Sequence, residues 1–178
     1  MSRISEQVAE IVREAIDLEA NAKIFYELAA TVTEHERGKA MFERLAREES
    51  GHMDEVGEII TALTGGEDWR EAVDEDSHTV RPSAIVESFK ETVAHWIGNK
   101  KTADETVALR MAMELERRAI HYFEGLARMS DDPKVHAMAE RLVEEERYHY
   151  DLLQTQYDNI LNVGVWVDGP EFRMDGKF

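Results

Sequence analysis

"EESGH" at 48–52 and "EERYH" at 145–149 decide how this chain folds. Each sets a glutamate three residues before a histidine: Glu49 with His52, and Glu146 with His149. Leu45, Val56, Ile59 and Leu63 continue the same spacing around the first, and Val135, Ala139, Leu142, Leu153 and Ile160 around the second. Steps that alternate between three and four residues keep side chains on one face of an α-helix. Ionisable groups are therefore written into an apolar stripe, and the same is done twice.

The duplication extends outward. A slide of 97 residues aligns "AMFERLAREESGHMD" (40–54) with "AMAERLVEEERYHYD" (137–151), with nine of 15 positions identical. The same offset aligns "AIDLEANAKIFYELAA" (15–30) with "AMELERRAIHYFEGLA" (112–127). Four helices follow from the period. The first covers roughly 3–33 with Val8, Val12, Ala15, Ala22 and Tyr26 on its stripe, and the second roughly 37–64, ended by Gly65-Gly66. The third starts near Thr102, where Thr102 and Glu105 offer a capping box, and carries Leu109, Ala112, Ala119, Phe123 and Leu126. The fourth follows Asp132 as cap and Pro133 in the first turn.

Short turns inside each pair make antiparallel hairpins, related as a duplicated unit about a pseudo-two-fold axis. Between them lies a long connection, 65–101, polar at first and then amphipathic ("PSAIVESFKETVAHWI"), which predicts a fifth, shorter helix. A long crossover between helices two and three is the ferritin-like form of the four-helix bundle. The expected fold is all-α, with the bundle over 1–162. A non-helical tail, 163–178, lies against the bundle or a second subunit.

Composition narrows the function. The 178 residues are 43% hydrophobic, enough for one good-sized core, and only three prolines interrupt them. A net charge of −17 argues against nucleic acid and anionic membrane as partners. No cysteine is present, which excludes disulfides, thiolate catalysis and cysteine-held metal clusters. The opening "MSRISEQVAE" has no apolar signal core, and no stretch is long and apolar enough to span a bilayer, so a cytoplasmic protein is expected.

Stripe one carries Glu19, stripe two Glu49 and His52, stripe three Glu116, and stripe four Glu146 and His149. No inward Lys or Arg neutralises these four carboxylates. A buried, isolated carboxylate costs several kcal/mol, and four together repel, so cations belong among them. One glutamate from each of two helices plus Glu-x-x-His from each of the other two is the ligand pattern of di-iron and di-manganese bundles. Glu49 and Glu146 are placed to bridge two metals, Glu19 and Glu116 to be terminal, and His52 and His149 to give one nitrogen each. Mixed oxygen and nitrogen donors suit iron or manganese.

At these residues the chain resembles the rubrerythrin-type members of the ferritin-like superfamily. "LEANAKIFYELA", "EESGH", "LERRAIHYFEGLA" and "EERYH" are similar to its four signature segments, over about 8–160. The resemblance implies two Fe ions, with manganese or a mixed pair as variants, held by Glu19, Glu49, His52, Glu116, Glu146 and His149. It also implies chemistry with O2 or H2O2. It places Tyr26 beside the metals as a catalytic residue, and Asp54 and Asp151 behind the histidines as orienting groups. Two departures stand out. Familiar rubrerythrins carry a four-cysteine rubredoxin domain, and this chain has no cysteine. They also carry an extra glutamate three residues before the helix-three ligand, where this chain has Met113. Both shift the expectation from peroxidase towards ferroxidase.

The expected function is thus a di-iron oxidoreductase of iron handling or oxidative-stress defence. It takes Fe(II) and O2 or H2O2, with an external electron donor on the peroxidase branch, and forms a homodimer. The alternatives are an iron-binding or delivery protein without turnover, and a structural bundle acting through a partner. His35, His78, His95, His121 and His136 are expected at the surface or satisfied, Glu48, Glu145 and Glu114 on solvated faces, and Trp69, Trp96 and Trp166 in packing or subunit contacts.

Overall fold

The computed structural model describes residues 6–63, 80–99 and 104–167. They form five helices: α1 Glu6–Val32, α2 Glu36–Leu63, α3 Ala84–Gly98, α4 Glu105–Met129 and α5 Pro133–Val163. The described residues contain no strand. None of these helices is long and apolar enough to cross a membrane.

α1 packs along α2, and α4 along α5, as two hairpins with three-residue turns at 33–35 and 130–132. The hairpins meet through α1 on α4 and α2 on α5, while α3, the helix of the crossover, lies against α1 and α4. This is the all-α, ferritin-like bundle that the periodicity predicts. The stripes face inward: Ala15, Ala22, Tyr26, Leu45, Val56, Leu109, Ala112, Phe123, Ala139, Leu142 and Leu153 are all buried. Burying one large apolar side chain contributes about 1.5–3 kcal/mol, and the interior of the bundle accumulates that many times over. Val8, Val12, Ile59 and Leu63, and the glycine pair at 65–66, fall outside the described side chains.

The helix ends follow local chemistry. Asp132 accepts from the backbone N–H groups of Lys134 and Val135, with Pro133 opening α5. Gly164 closes that helix at φ +71°, a left-handed conformation that glycine adopts without strain. The start of α4 differs from expectation. Its cap is Asp104, which accepts from the Thr106 N–H, and Thr102 lies outside the described residues.

Two polar residues of α1 hold the end of the crossover. Asp17 takes the Arg81 guanidinium at 2.6 Å and its backbone N–H at 3.1 Å. Asn21 accepts from the Ser83 N–H at 2.7 Å and donates to the Arg81 carbonyl at 2.9 Å. Ser83 then caps α3, whose buried Val86, Phe89, Val93 and Trp96 face the bundle. Asp17 and Asn21 are largely buried, and these bonds satisfy polar groups that have given up most of their water.

The tail, as far as Val167, lies on its own bundle. The Trp166 indole is buried, meets Phe42 edge-on, and donates from Nε1 to Glu105 at 2.7 Å. Gln156 binds the Val167 backbone in both directions. A Cβ added at Gly38 would stand 2.5 Å from the Trp166 ring and 2.9 Å from the Thr33 methyl group. Gly38→Ala is therefore expected to lower unfolding stability by about 1–3 kcal/mol through overpacking. Urea denaturation checks it, and a midpoint equal to the parent's would show that Trp166 is not seated there.

Candidate metal centre

The four stripes converge midway along the bundle. Glu19, Glu49, Glu116 and Glu146 are each at most 1% exposed, and His52 and His149 are 4% and 0% exposed. Their ligand atoms form two groups, each within 4.8 Å: Glu19, Glu49, His52 and Glu146, and Glu49, Glu116, Glu146 and His149. Glu49 and Glu146 belong to both. The two shared residues come from α2 and α5, and each remaining carboxylate, from α1 or α4, belongs to one group.

The histidines turn Nδ1 inward. His52 Nδ1 lies 3.2 Å from Glu19, 3.4 Å from Glu49 and 2.9 Å from Glu146. His149 Nδ1 lies 3.1 Å from Glu49, 3.4 Å from Glu146 and 3.8 Å from Glu116. The two rings lie nearly parallel, 5.5 Å apart. Tyr26, fully buried, donates its hydroxyl to Glu116 Oε1. It touches the centre through that carboxylate.

The outward nitrogens correct the sequence reading. His52 Nε2 hydrogen-bonds Glu145 at 2.8 Å, and His149 Nε2 stands 3.2 Å from Glu48 as a charge contact without hydrogen-bond alignment. Glu48 is held in turn by Arg44 at 2.8 Å, and Arg44 reaches Tyr148. Glu48 and Glu145 are thus not merely solvated surface: each backs the histidine of the other hairpin. Asp54 and Asp151, assigned that role by resemblance, are exposed. They lie at the wrong angle on their helices, and the nitrogens point to Glu145 and Glu48 instead. Glu114 does face outward, to Arg117 and Arg118. His35, His95, His121 and His136 are exposed and outside both groups, while His78 and Trp69 lie outside the described residues.

Electrostatics show what the centre lacks. Burial pushes the Glu19 and Glu116 carboxyls well above their usual range, and the Glu146 charge pushes the same way. Burial also opposes ionisation of Glu49 and Glu146. It is outweighed at Glu49 by His149 and His52, and at Glu146 by the Glu116 carboxyl and then the same two histidines, and both sit below the usual range. Burial would lower the two histidines, but the surrounding carboxylates win and raise both. Glu145 is lowered by its bond to His52, and Glu48, against burial, by His149 and Arg44. Protons thus supply the positive charge that the cluster requires.

Many donors still go unused. Glu19 Oε1, both oxygens of Glu49 and of Glu146, Glu116 Oε2 and His149 Nδ1 are buried without a hydrogen-bond partner. A buried unsatisfied polar group costs about 1–3 kcal/mol, so so many on one small volume fit a cationic occupant. Hard carboxylate oxygens with two imidazoles match iron or manganese, and the Glu145 bond to the outer nitrogen of His52 is the kind that orients a metal-binding histidine.

The family model described as Rubrerythrin matches residues 10–157. Among solved structures the chain is similar to a dodecameric thioferritin, a bacterioferritin-related protein of Bacteroides fragilis. Identity there is 20% and the TM-score 0.64, over 89% of each chain. It is also similar to a hypothetical protein of Pyrococcus furiosus, at 23% identity and TM-score 0.63 over 86% of this chain and 90% of that one. A hypothetical protein of Methanococcus jannaschii matches at 19% and 0.63, over 97% and 93%. At such identities the likeness is one of fold. No curated protein matches the chain.

Proposed function

The chain belongs to the rubrerythrin family of ferritin-like proteins, and on that premise we propose that it binds two iron ions in the bundle core and oxidises them with O2 or H2O2. The observation that carries this reading is the pair of four-residue groups sharing Glu49 and Glu146, with buried oxygens that have no hydrogen-bond partner.

Glu49 and Glu146 would span both ions, and Glu19 with His52, and Glu116 with His149, would complete one each. Four carboxylates balance two divalent charges. Bound Fe(II) would supply the electrons that reduce the oxidant. The chain does the remaining work. Glu145 accepts the His52 Nε2 proton, which leaves Nδ1 free as a donor, and Glu48 faces His149 in the same sense. Tyr26 fixes Glu116, and the buried Phe25, Phe42, Leu45 and Leu142 keep bulk water out. Met113 is buried and apolar, so helix α4 offers no additional carboxylate at that position. This favours oxidation of iron as the substrate over peroxide reduction driven by an external donor.

Anaerobic Fe(II) titration, followed by mixing with O2 or H2O2 in stopped flow, tests the proposal. About two irons bind per chain, the number that this ligand pattern serves. Faster oxidation by O2 supports the ferroxidase form, and faster oxidation by H2O2 the peroxidase form. Binding without oxidation by either marks an iron-binding or delivery protein, and no binding ends the reading.

A further inference from the structure

The two hairpins are alike, but the centre they build is not symmetric. Position 26 has its 97-residue counterpart at 123, and position 25 at 122. The first hairpin reads Phe25-Tyr26, the second Tyr122-Phe123, so the aromatic order is inverted. Tyr26 is fully buried and reaches across the bundle to Glu116. A tyrosine at 123 would stand in the equivalent place for Glu19. Phe123 is there instead, also fully buried, with nothing to donate. Tyr122 sits one residue earlier, about 100° round the helix, and gives its hydroxyl to the Ile11 carbonyl.

The carboxylates record the difference. Glu116 Oε1 is held by Tyr26, from outside the ligand set, whereas the hydrogen bond of Glu19 runs from Oε2 to His52 Nδ1, itself an inward ligand nitrogen, and Glu19 Oε1 is buried without a hydrogen-bond partner. Glu19 also lines a cleft of about 390 Å³ where α1, α4 and the crossover at Arg81 and Ser83 meet; Tyr122 stands at its wall, and Leu18, Ala22, Leu115 and Ala119 line it from the two helices. Those four residues are themselves two repeat pairs, so the cleft straddles the pseudo-two-fold axis. It nevertheless touches Glu19 and not Glu116.

We propose that Phe123 makes the two metal positions unequal: the one at Glu19 and His52 loads and exchanges through the α1–α4 cleft, and the one at Glu116 and His149 retains its ion. This rests on the two-metal reading above. A carboxylate with one oxygen tethered loses less freedom on binding an ion and swings away from it less readily. Loss of such an outer hydrogen bond typically changes metal affinity by about 10–100-fold; the Glu145 bond to His52 acts in the opposite sense, so the Tyr26 tether on Glu116 and the cleft beside Glu19 must together outweigh it for the phases to fall in this order.

Cobalt(II) is the probe. The protein is loaded with two equivalents and mixed with excess EDTA, and release is followed by absorbance. The parent releases metal in two equal phases, separated by about 10–100-fold in rate. Phe123→Tyr, alone or with Tyr122→Phe, slows the fast phase towards the slow one, and Tyr26→Phe accelerates the slow phase towards the fast. A single phase in the parent, or two phases whose ratio none of the variants moves, overturns the proposal. Anomalous scattering from crystals grown with one equivalent should place cobalt mainly beside His149, and equal occupancy beside His52 counts against it. Tyr26→Phe removes one oxygen without adding bulk, so it decides the matter even if Phe123→Tyr fails to fold. Failure to bind cobalt at all defeats this inference together with the two-metal reading, whereas equal release defeats the inference alone.

Discussion

The double variant Glu49→Gln, Glu146→Gln should bind neither metal ion and lose the stabilisation that metal is expected to give the parent. Both residues sit in both ligand groups, so each change removes a donor from two positions at once. Only Glu19 and Glu116 would remain as anionic donors facing inward, half the charge that two divalent ions need. A ligand present at a thousand times its dissociation constant stabilises the folded state by about 4 kcal/mol. The parent should show a metal-dependent gain of that order in denaturant unfolding, and the double variant none. The comparison is made within each protein, with and without metal, so a change in the stability of the metal-free variant does not confuse it. A full metal-dependent gain in the double variant would show that the ions bind elsewhere.

Glu145→Ala should weaken metal binding by about 10–100-fold, although Glu145 is not a ligand, and Glu48→Ala, which removes a charge contact and not a hydrogen bond, should weaken it by less. Glu145 fixes the outer nitrogen of His52 at 2.8 Å and Glu48 faces that of His149 at 3.2 Å. Without them each imidazole is free to turn and to carry its proton on the inner nitrogen. Glu114→Ala is the matched control. Glu114 is likewise a glutamate close in sequence to a ligand, two residues before Glu116, but it faces the exposed Arg117 and Arg118, and a surface change of this kind is usually worth no more than about 0.5 kcal/mol. Isothermal titration with Mn(II) reads all three. Equal affinities across the set would return Glu48 and Glu145 to the solvated surface.

These two glutamates mark the limit of what the sequence discloses. The three-and-four spacing placed Glu19, Glu49, His52, Glu116, Glu146 and His149 on inward stripes, because a helix has one period and a bundle one interior. Glu48 and Glu145 each precede a stripe residue by one position, some 100° off the stripe. Seen on one helix, that angle is a flank. In the bundle it is the seam where α2 meets α5, and the partner is a histidine 93 or 101 residues away. The doubled glutamate in both motifs was a visible signal, but periodicity within a helix carries no information about what stands across a seam. Asp17 and Asn21 escaped notice similarly: they are polar positions beside a stripe, and their partners Arg81 and Ser83 arrive from the crossover. Asp104 replaced Thr102 as the cap of α4 because several polar residues there compete for one N-terminus, and the backbone selects among them.

The interlocking of the hairpins has a consequence for the ancestry of the chain. His52 is backed from the second hairpin and His149 faces a carboxylate of the first, and Tyr26 of the first holds a carboxylate of the second. Neither half owns a complete centre: each sets a carboxylate behind the other's histidine, and the first alone adds a tyrosine. Two identical copies of one such hairpin, associating as separate molecules, would have built the same centre with strict equivalence. Joining them in one chain removed the obligation to be identical. A change in one copy no longer appears twice in the assembly, and the inverted aromatic pair at 122–123 is a divergence that an unfused ancestor had no means to express on one side only.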